Sequence, residues 1–386
     1  MELTRNIMVV AGEASGDRHA AKLVAALRAA QPDIDFRFFG AAGPKMREAG
    51  VEAVVESDGL SIVGLAEIAR ALPVFLRASK ALKQAALERR PDVVILVDFP
   101  DFNLKMAKSL KKQGFTIVYY ISPQLWAWRK YRVSTVRKYI DLMITILPFE
   151  KDWYASNGVD RVEYVGNPLA MEVASGASKA DFCHSHSLHT DRPIVSLLPG
   201  SRHKEIVRIL PVMLGAAAEV ARNIPDAQFI LAAASRNNRT DIERIAGARN
   251  PKLSLRIVEN ETYDALAASN AAAVTSGTAT LEAGILGTPM AIVYKTSAIN
   301  YNLLEPLISV EHYGLINLIA GYRVARELIQ HEFTADTLAT EIVRLLDPRT
   351  NAAAREDLRS AAAKLGQGGA SKRAADAILE LISPTF

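Results

Sequence analysis

Two carboxylates, three residues apart, follow an apolar run in the first half of the chain. In ILVDFPDFN (95–103), Asp98 closes the run, Pro100 turns the chain and Asp101 follows. Asp101 precedes the helical pattern 104–114 and is the better candidate for a helix N-cap, whose side chain accepts a hydrogen bond from a free backbone amide. Asp98 stands where a buried strand would end, so it is a candidate ligand contact or general base.

A small polar loop follows the first apolar run. In VAGEASGD (10–17) the chain passes from a strand pattern to a helix pattern, and free amides at a helix N-terminus favour an anion or a polar sugar group. The loop is neither GxGxxG nor a phosphate-binding P-loop. A plain tight turn with Ser15 or Asp17 as N-cap is the alternative, and both interpretations stay open. The candidate contacts are Gly12, Glu13, Ser15 and Gly16.

A second loop of this kind carries an arginine. In LLPGSRHKEI (197–206), Arg202 stands at the helix entrance, where its fork of donors suits a diphosphate. A surface salt bridge with Glu205 is the alternative, and we favour the ligand. The candidate contacts are Gly200, Ser201, Arg202 and Glu205.

The third loop is TSGTATLEAG (275–284). Glu282 lies one turn into the predicted helix, where a carboxylate can accept hydrogen bonds from both ribose hydroxyls of a nucleotide. It could equally interact with the helix dipole and do nothing more. Since two phosphate-type loops lie in the second half of the chain, we expect the nucleotide there and the partner substrate beside Asp98. The candidate contacts are Ser276, Gly277, Thr278 and Glu282.

Apolar runs that alternate with amphipathic segments predict the elements that hold these loops. Runs that are apolar at every position are typical of buried parallel strands, and the alternation predicts doubly wound α/β sheets. Ligands in such sheets bind beyond the strand carboxyl ends. The predicted strands are 7–11, 93–99, 116–122 and 142–148, then 193–199, 227–234, 253–259, 271–276 and 289–294.

Length and composition set the domain count and exclude some partners. A chain of 386 residues exceeds one comfortable core, and the alternation breaks at about 166–192, so we predict a first domain over 1–168 and a second over 169–349. A net charge of +4 is too small to indicate nucleic acid, and we interpret the basic residues of 105–112 and 129–138 as solvated helix faces.

Other sequence features argue against a disulfide, a membrane span and a metal. Cys183 has no cysteine partner, and no stretch approaches the roughly 18 apolar residues that span a bilayer. Hence we expect a protein that is soluble or bound only at a membrane surface. The linker histidines match no standard ligand spacing, so we predict no metal and no cofactor. They are His184, His186 and His189.

An apolar segment at 59–82 supports two interpretations. Its apolar residues cover more than one helical face, which is typical of a buried helix pair in which Pro73 opens the second helix. The functional alternative is an exposed patch for lipid chains or a membrane surface. The residues of this patch are Ile62, Val63, Leu65, Ile68, Leu72, Val74, Phe75 and Leu76.

Eight motifs together resemble the lipid-A-disaccharide synthase family. They are GEASGD, AGPKM, DFPDFN, SPQLWAWR, LPFEKDWY, LLPGSRHKEI, SGTATLEAG and QGGASKRAADAIL, in that order along nearly the whole chain. The resemblance implies a GT-B fold, with two Rossmann-like doubly wound domains facing a central cleft. It also implies that helices within about 350–386 pack back on the first domain or on that of a partner in a homodimer.

The resemblance implies an activity and its substrates. The donor is UDP-2,3-diacylglucosamine, the acceptor is 2,3-diacylglucosamine 1-phosphate, and the product is the β(1→6) disaccharide of lipid A biosynthesis, formed with inversion and without a metal. The enzyme is expected at the cytoplasmic face of the inner membrane, which favours the membrane interpretation of 59–82. The resemblance assigns Asp98 as base for the acceptor 6-hydroxyl, Arg202 to the UDP diphosphate, Glu282 to the nucleotide and Asn317 to the donor pocket.

The sequence departs from the family pattern at Asn167, Met171 and Ile316. Competing functions are a GT-B isomerase of the UDP-N-acetylglucosamine 2-epimerase type and a non-catalytic UDP-lipid binding protein. A dehydrogenase is less favoured because the dinucleotide fingerprint is missing.

Overall fold

The computed structural model describes residues 3–59, 65–247, 253–297, 301 and 310–383. The chain forms two compact units, one made of Met1–Pro168 with Gly368–Phe386 and the other of Leu169–Gln367. Each unit is an α/β layer structure built on one parallel sheet.

In its described residues the first unit contains seven parallel strands, in the spatial order β3-β2-β1-β4-β5-β6-β7. The strands are β1 (Leu3–Ala11), β2 (Ile34–Ala42), β3 (Glu52–Glu56), β4 (Val93–Val97), β5 (Ile117–Tyr120), β6 (Leu142–Thr145) and β7 (Val162–Tyr164). The helices before the second unit are α1 (Ala14–Ala30), α2 (Pro44–Glu48), α3 (Leu65–Arg89), α4 (Pro100–Lys111), α5 (Val133–Tyr139) and α6 (Glu150–Ser156).

The second unit repeats this plan with six described strands, in the order β10-β9-β8-β11-β12-β13. The strands are β8 (Ile194–Leu198), β9 (Gln228–Ala233), β10 (Leu255–Glu259), β11 (Ala271–Thr275), β12 (Met290–Tyr294) and β13 (Arg326–Ile329). Its helices are α7 (Leu169–Glu172), α8 (Lys179–Ser185), α9 (His203–Asn223), α10 (Arg236–Gly247), α11 (Thr262–Ala268), α12 (Thr278–Ile285), α13 (Leu315–Ala320), α14 (Ala335–Leu346) and α15 (Pro348–Ala363).

The last helix, α16 (Ala370–Ile382), belongs to the first unit and packs on α1 of the same chain. The sequence prediction placed the helices from about 350 to 386 on the first domain or on that of a partner, whereas the structure places α15 in the second unit. Its contacts explain why. Asn351 donates to the carbonyl of Asn270, and Arg355 donates to the carbonyls of Gly287 and Ser269.

Both sheets are buried on their two faces. In the first unit, β4 and β5 contribute fully buried residues to two apolar clusters, one shared with α3, α4 and α5 and the other with α1 and α16. In the second unit a cluster lies between the sheet and the helices α9 and α14. Burial on both faces is why these strands are apolar at successive positions, and each of the nine predicted strands is present. Four strands were missed: β2, β3, β7 and β13.

The strand order places the predicted loops. Each sheet reverses its winding direction between two central strands, β1 and β4 in the first and β8 and β11 in the second. Such a switch point leaves a crevice at the carboxyl edge, where ligands bind in doubly wound sheets. The loops of Gly12 and Asp98 flank the first switch point, and the loops of Arg202 and Ser276 flank the second.

Helix α3 differs from the predicted helix pair. Pro73 lies inside a single helix over Leu65–Arg89 instead of opening a second one. An internal proline costs the helix one backbone hydrogen bond. In the described residues no helix is both long enough and apolar enough to span a membrane.

Candidate active site

The turn after β4 holds Asp98 in an unusual backbone conformation. Asp98 and Phe99 have φ values of 47° and 52°, in the left-handed region that costs a non-glycine residue about 1 kcal/mol or more. Two buried side chains hold this turn. The Tyr119 hydroxyl donates to the Asp98 carbonyl at 2.6 Å, and Asn103 Nδ2 donates to the same oxygen at 2.8 Å. The surrounding structure thus fixes the place where the Asp98 side chain begins.

Asn103 also joins this turn to the central strand. It is fully buried, and its Nδ2 lies 3.1 Å from the Val97 carbonyl and 3.4 Å from the Val10 carbonyl. Sequence reasoning missed both Asn103 and Tyr119 as site residues. Asn103 closes the DFPDFN motif and so carried a signal, whereas Tyr119 looked like any residue of a buried strand.

Gly12 brings the first two loops together. A Cβ atom at Gly12 would lie 2.3 Å from Cδ1 of Phe99, far inside van der Waals contact. The aromatic ring that follows Asp98 therefore rests directly on the loop after β1. A glycine is required there for the approach of the ring rather than for a positive φ.

The Asp98 carboxyl is partly buried beside another acid. Burial, and to a smaller extent the negative charge of Glu13, raise the pKa of Asp98 to about 6, although the hydrogen bond from the Phe99 amide lowers it. Within the described residues no Lys, Arg or His forms an ion pair with Asp98. A carboxylate with this proton affinity can accept a proton near neutral pH.

Asp101 is not the N-cap that the sequence suggested. Helix α4 begins at Pro100, the residue before Asp101, and its N-cap position is Phe99. Asp101 instead lies in the first turn and forms ion pairs with Arg129 (2.9 Å) and Arg132. Arg129, which ends SPQLWAWR, and Arg132 thus brace the first turn of α4, which corrects the interpretation of these two arginines as part of a solvated face.

The loop after β1 has no side-chain cap either. Helix α1 begins at Ala14 with Glu13 at the N-cap position and no capping hydrogen bond. Asp17 is buried and accepts hydrogen bonds from three backbone amides of the AGPKM turn, those of Gly43 (2.9 Å), Lys45 (2.8 Å) and Met46 (3.1 Å). Neither Ser15 nor Asp17 caps α1, so its first amides stay available, with Ser15 half-buried and Gly16 buried.

The loop after β8 carries a salt bridge and an exposed guanidinium. Arg202 Nη1 donates to Glu205 Oε1 at 3.2 Å, and the Arg202 amide donates to the same carboxylate at 3.3 Å. Gly200 has a φ of 105°, and a Cβ there would lie 2.7 Å from Glu205. Ser201 is exposed, and its carbonyl accepts from Asn238. The salt bridge between Arg202 and Glu205, predicted as the alternative to a ligand contact, is therefore present. The Arg202 side chain is nevertheless 72% exposed and keeps N–H donors for an anion.

The loop after β11 turns at Gly277, whose φ is 150°, and leaves Thr278 exposed at the start of α12. Ser276 Oγ donates to the Tyr313 carbonyl at 2.7 Å. Glu282 is half-buried and accepts from the Tyr263 hydroxyl at 3.1 Å. This hydroxyl holds the Glu282 carboxylate in place.

Asn317 is an internal support rather than a pocket surface. It is fully buried, and its amide is used up by Glu327 Oε1 (2.9 Å) and by the carbonyl and N–H of Ala325 (2.8 and 2.9 Å). Glu327 also accepts from the amides of Tyr313 and Gly314. The predicted contact with a donor substrate is corrected to a role behind the Tyr313 turn, which Ser276 touches.

The departure at Ile316 has a packing consequence. Ile316 is fully buried, and a Cβ at Gly284 would lie 2.6 Å from its Cδ1 atom. Helices α12 and α13 therefore meet closely at this isoleucine. Met171, another departure, is 71% exposed, whereas Asn167 is buried.

The predicted apolar patch divides in the structure. Leu72 and Leu76 are 55% and 63% exposed, one helical turn apart. Val74 and Phe75 turn inward against the core, with the Phe75 ring 6.0 Å from Phe99, so they are corrected from patch residues to packing residues. Ile62 and Val63 lie outside the described residues, as do the side chains of Leu65 and Ile68.

Comparison with solved structures identifies the fold class. The S. aureus MnaA-UDP co-structure superposes with a TM-score of 0.66 at 14% identity, covering 98% of this chain and 97% of that one. The calicheamicin glycosyltransferase CalG4 superposes with a TM-score of 0.60 at 16% identity, covering 99% and 100%. The two parallel-sheet units and these likenesses define a GT-B protein, the fold of glycosyltransferases and related epimerases.

Sequence comparison identifies the family. The model of the lipid-A-disaccharide synthetase family matches residues 7–381. The lipid-A-disaccharide synthase of Syntrophus aciditrophicus is 44% identical over 378 residues (97% of each chain), and that of Myxococcus xanthus is 43% identical over 383 residues (98% of each). The chain belongs to the lipid-A-disaccharide synthase family. It is a hexosyltransferase that forms the lipid A disaccharide, which confirms the prediction from the motifs.

Proposed function

We propose that this enzyme transfers 2,3-diacylglucosamine from UDP to the 6-hydroxyl of 2,3-diacylglucosamine 1-phosphate in a single inverting displacement. The acceptor oxygen forms the bond to the anomeric carbon, and the bond from that carbon to the diphosphate breaks. UDP leaves with the electron pair, and Asp98 takes the hydroxyl proton. The product is the β(1→6) tetraacyl disaccharide 1-phosphate.

The Asp98 turn carries this proposal. Asp98 lies at the switch point of the first sheet, two buried side chains fix its backbone, and burial together with Glu13 raises its pKa to about 6. A base of this strength accepts a proton from a sugar hydroxyl best when the hydroxyl is within about 3 Å, and such catalysis typically contributes about 10²–10⁴-fold.

On the donor side, we assign the loops of the second sheet to UDP. Arg202 and the amides at the start of α9 and α12 are the positive groups for the diphosphate, whose negative charge grows as the glycosidic bond breaks. Glu282, oriented by Tyr263, would accept from the ribose hydroxyls. UDP in the MnaA co-structure supports this choice of nucleotide through the shared fold.

Diacylated substrates have to be met at a membrane, and the exposed leucines of α3 are the proposed contact. Leu72 and Leu76 form an apolar pair in the first unit, on the helix whose Phe75 packs against Phe99 beside Asp98. The proposed location is the cytoplasmic face of the inner membrane. Co-sedimentation with anionic phospholipid vesicles should fall for Leu72→Ser/Leu76→Ser, and unchanged binding would refute this contact.

Product analysis tests the reaction itself. The purified enzyme, given both diacylated substrates, should yield UDP and a lipid with the mass of the joined disaccharide. With the acceptor alone or with UDP-N-acetylglucosamine alone, no product should form. An isomer of UDP-N-acetylglucosamine, or binding without release of UDP, would favour one of the competing functions.

A further inference from the structure

A buried carboxyl group lies at the same edge of the first sheet as Asp98, outside the proposed chemistry. Glu150 opens α6, directly after the loop that follows β6, and is 1% exposed. Its Oε1 accepts from the indole N–H of Trp126, and its Oε2 accepts from the amide of Leu147, both at 3.0 Å. Within the described residues no Lys, Arg or His pairs with it. Burying a carboxylate without a cation destabilises a fold, so a structural role alone explains it poorly.

Glu150 connects two loops that each follow a strand. Trp126 belongs to the loop after β5, and Leu147 belongs to the loop after β6. The buried Trp126 ring also packs edge-on against Phe149, with ring centroids 5.0 Å apart. One carboxyl group and one indole therefore join two loops that the sheet alone leaves separate.

The backbone of the loop after β5 has to be stabilised by such contacts. It begins at Ile121 and ends at Arg129, which both have positive φ values, 66° and 57°. Left-handed backbone at non-glycine residues persists where surrounding contacts impose it. Beside the Trp126 contact, Ser122 and the Tyr154 hydroxyl are 2.9 Å apart, which anchors the start of the loop to α6 as well.

The far end of this loop reaches the Asp98 helix. Arg129 Nη1 donates to Asp101 at 2.9 Å, and Arg132 pairs with the same carboxylate. Asp101 lies in the first turn of α4, three residues after Asp98. The loop thus connects two sets of contacts: Glu150 accepts from Trp126, and three residues further on Arg129, together with Arg132, pairs with Asp101 in the first turn of α4.

We propose that Glu150 is a positioning residue of the transferase, whose carboxylate, through Trp126, sets the loop that braces the Asp98 turn. The proposal rests on the assignment of Asp98 as the base. Burial raises the pKa of Glu150 to about 7 even though the hydrogen bonds from Trp126 and Leu147 lower it, so these neutral donors offset only part of the cost of burying its charge.

The test is a double-mutant cycle on turnover. In Glu150→Gln the side chain keeps its size but can accept only through one oxygen, and Trp126→Phe removes the indole donor. Each change should lower kcat about 10- to 100-fold, because small displacements of a reacting group have effects of this order, and the donor KM should stay within about twofold. The double variant should be no slower than the slower single variant. The control Glu163→Gln, at an exposed ion pair on β7, should be unchanged.

Three results would overturn the proposal: kcat within about twofold of wild type in both folded single variants, effects that multiply in the double variant, or losses that match the unfolded fraction in thermal melts. If Glu150→Gln does not fold, Trp126→Phe with Asp101→Asn supplies an equivalent cycle. The assignment of Asp98 is judged separately, from the turnover of Asp98→Ala. An active Asp98→Ala variant would refute the assignment of Asp98 as the base. Multiplicative effects of Glu150→Gln and Trp126→Phe would instead refute the positioning role of Glu150.

Discussion

The candidate site acids at the carboxyl edges of the two sheets are held in different ways. In the first unit, Asp98 and Glu150 have no cationic partner among the described residues, and burial raises the pKa of both. In the second unit, Glu205 pairs with Arg202, and Glu282 accepts from the Tyr263 hydroxyl. Similar strand–loop–helix units therefore present an acid that can gain a proton in one case and acids that are already engaged in the other.

This difference matches two halves of one reaction. Proton removal needs a carboxylate whose proton affinity suits neutral pH, which requires burial and the absence of a cation. Departure of a diphosphate needs fixed positive charge, which an arginine and helix N-termini supply. Substitutions at one residue of each edge should therefore change different steps of the reaction.

The largest effect is expected at Asp98. Asp98→Ala should lower kcat about 10³-fold or more, because the proton acceptor is lost, while the Kd for UDP stays nearly unchanged. UDP release with both substrates gives the turnover, and calorimetry gives the affinity. Turnover near that of wild type would end the assignment of Asp98 as base.

Removal of Arg202 should be the next largest change, and of a different kind. Arg202→Ala should lower kcat/KM for the UDP-sugar about 10²-fold, because the loss of one hydrogen-bond donor that stabilises developing charge typically lowers the rate by about this factor. It should weaken UDP binding as well. Arg222→Ala, at an exposed ion pair near the other end of α9, is the control. The contrast between the edges would fail if Arg202→Ala left UDP binding intact.

The two edges should also differ in stability. The raised pKa means that folded protein binds the Asp98 proton more tightly than unfolded protein does, so Asp98 lowers stability progressively as the pH rises from about 4 to 6. Asp98→Asn should therefore stabilise the fold by on the order of 1–3 kcal/mol at pH 8, and by nothing at pH 4. Glu205→Gln, which weakens a formed ion pair, should give no such gain. Thermal melts at the two pH values measure the stability change of each variant. An equal gain in stability for Asp98→Asn at pH 4 and pH 8 would contradict a raised pKa of Asp98 as its cause.

The smallest expected effect concerns the support of the Asp98 turn. Tyr119→Phe removes the hydroxyl that donates to the Asp98 carbonyl and should lower kcat about tenfold while the donor KM holds. Tyr139→Phe, at a buried tyrosine of the same core, serves as the comparison. Equal kcat values for the two variants would show that the turn needs no hydroxyl.

Much of the fold could be predicted from the sequence because strands that are buried on both faces are apolar at successive positions. Strand β4 is apolar at every position and β11 is apolar up to its final threonine, and both were predicted together with the loops that follow them. The missed strands are short or carry polar residues, as β3 and β7 do, since strands at the edge of a sheet contact fewer neighbours. The same limit hid the continuous α3, where Pro73 suggested a boundary that packing overrides.

The α/β class and, through the ordered motifs, the family follow from the sequence alone, and the DFPDFN motif leads to the proposal of Asp98 as the base. The contacts that hold these residues depend on the tertiary structure. The tertiary structure paired Asp101 with Arg129, placed Asn317 behind the Tyr313 turn and brought Tyr119 and Asn103 onto one carbonyl. These contacts join residues that are far apart in the chain. The apolar pattern of a strand predicts that the strand is buried, but it does not specify which side chains its residues contact.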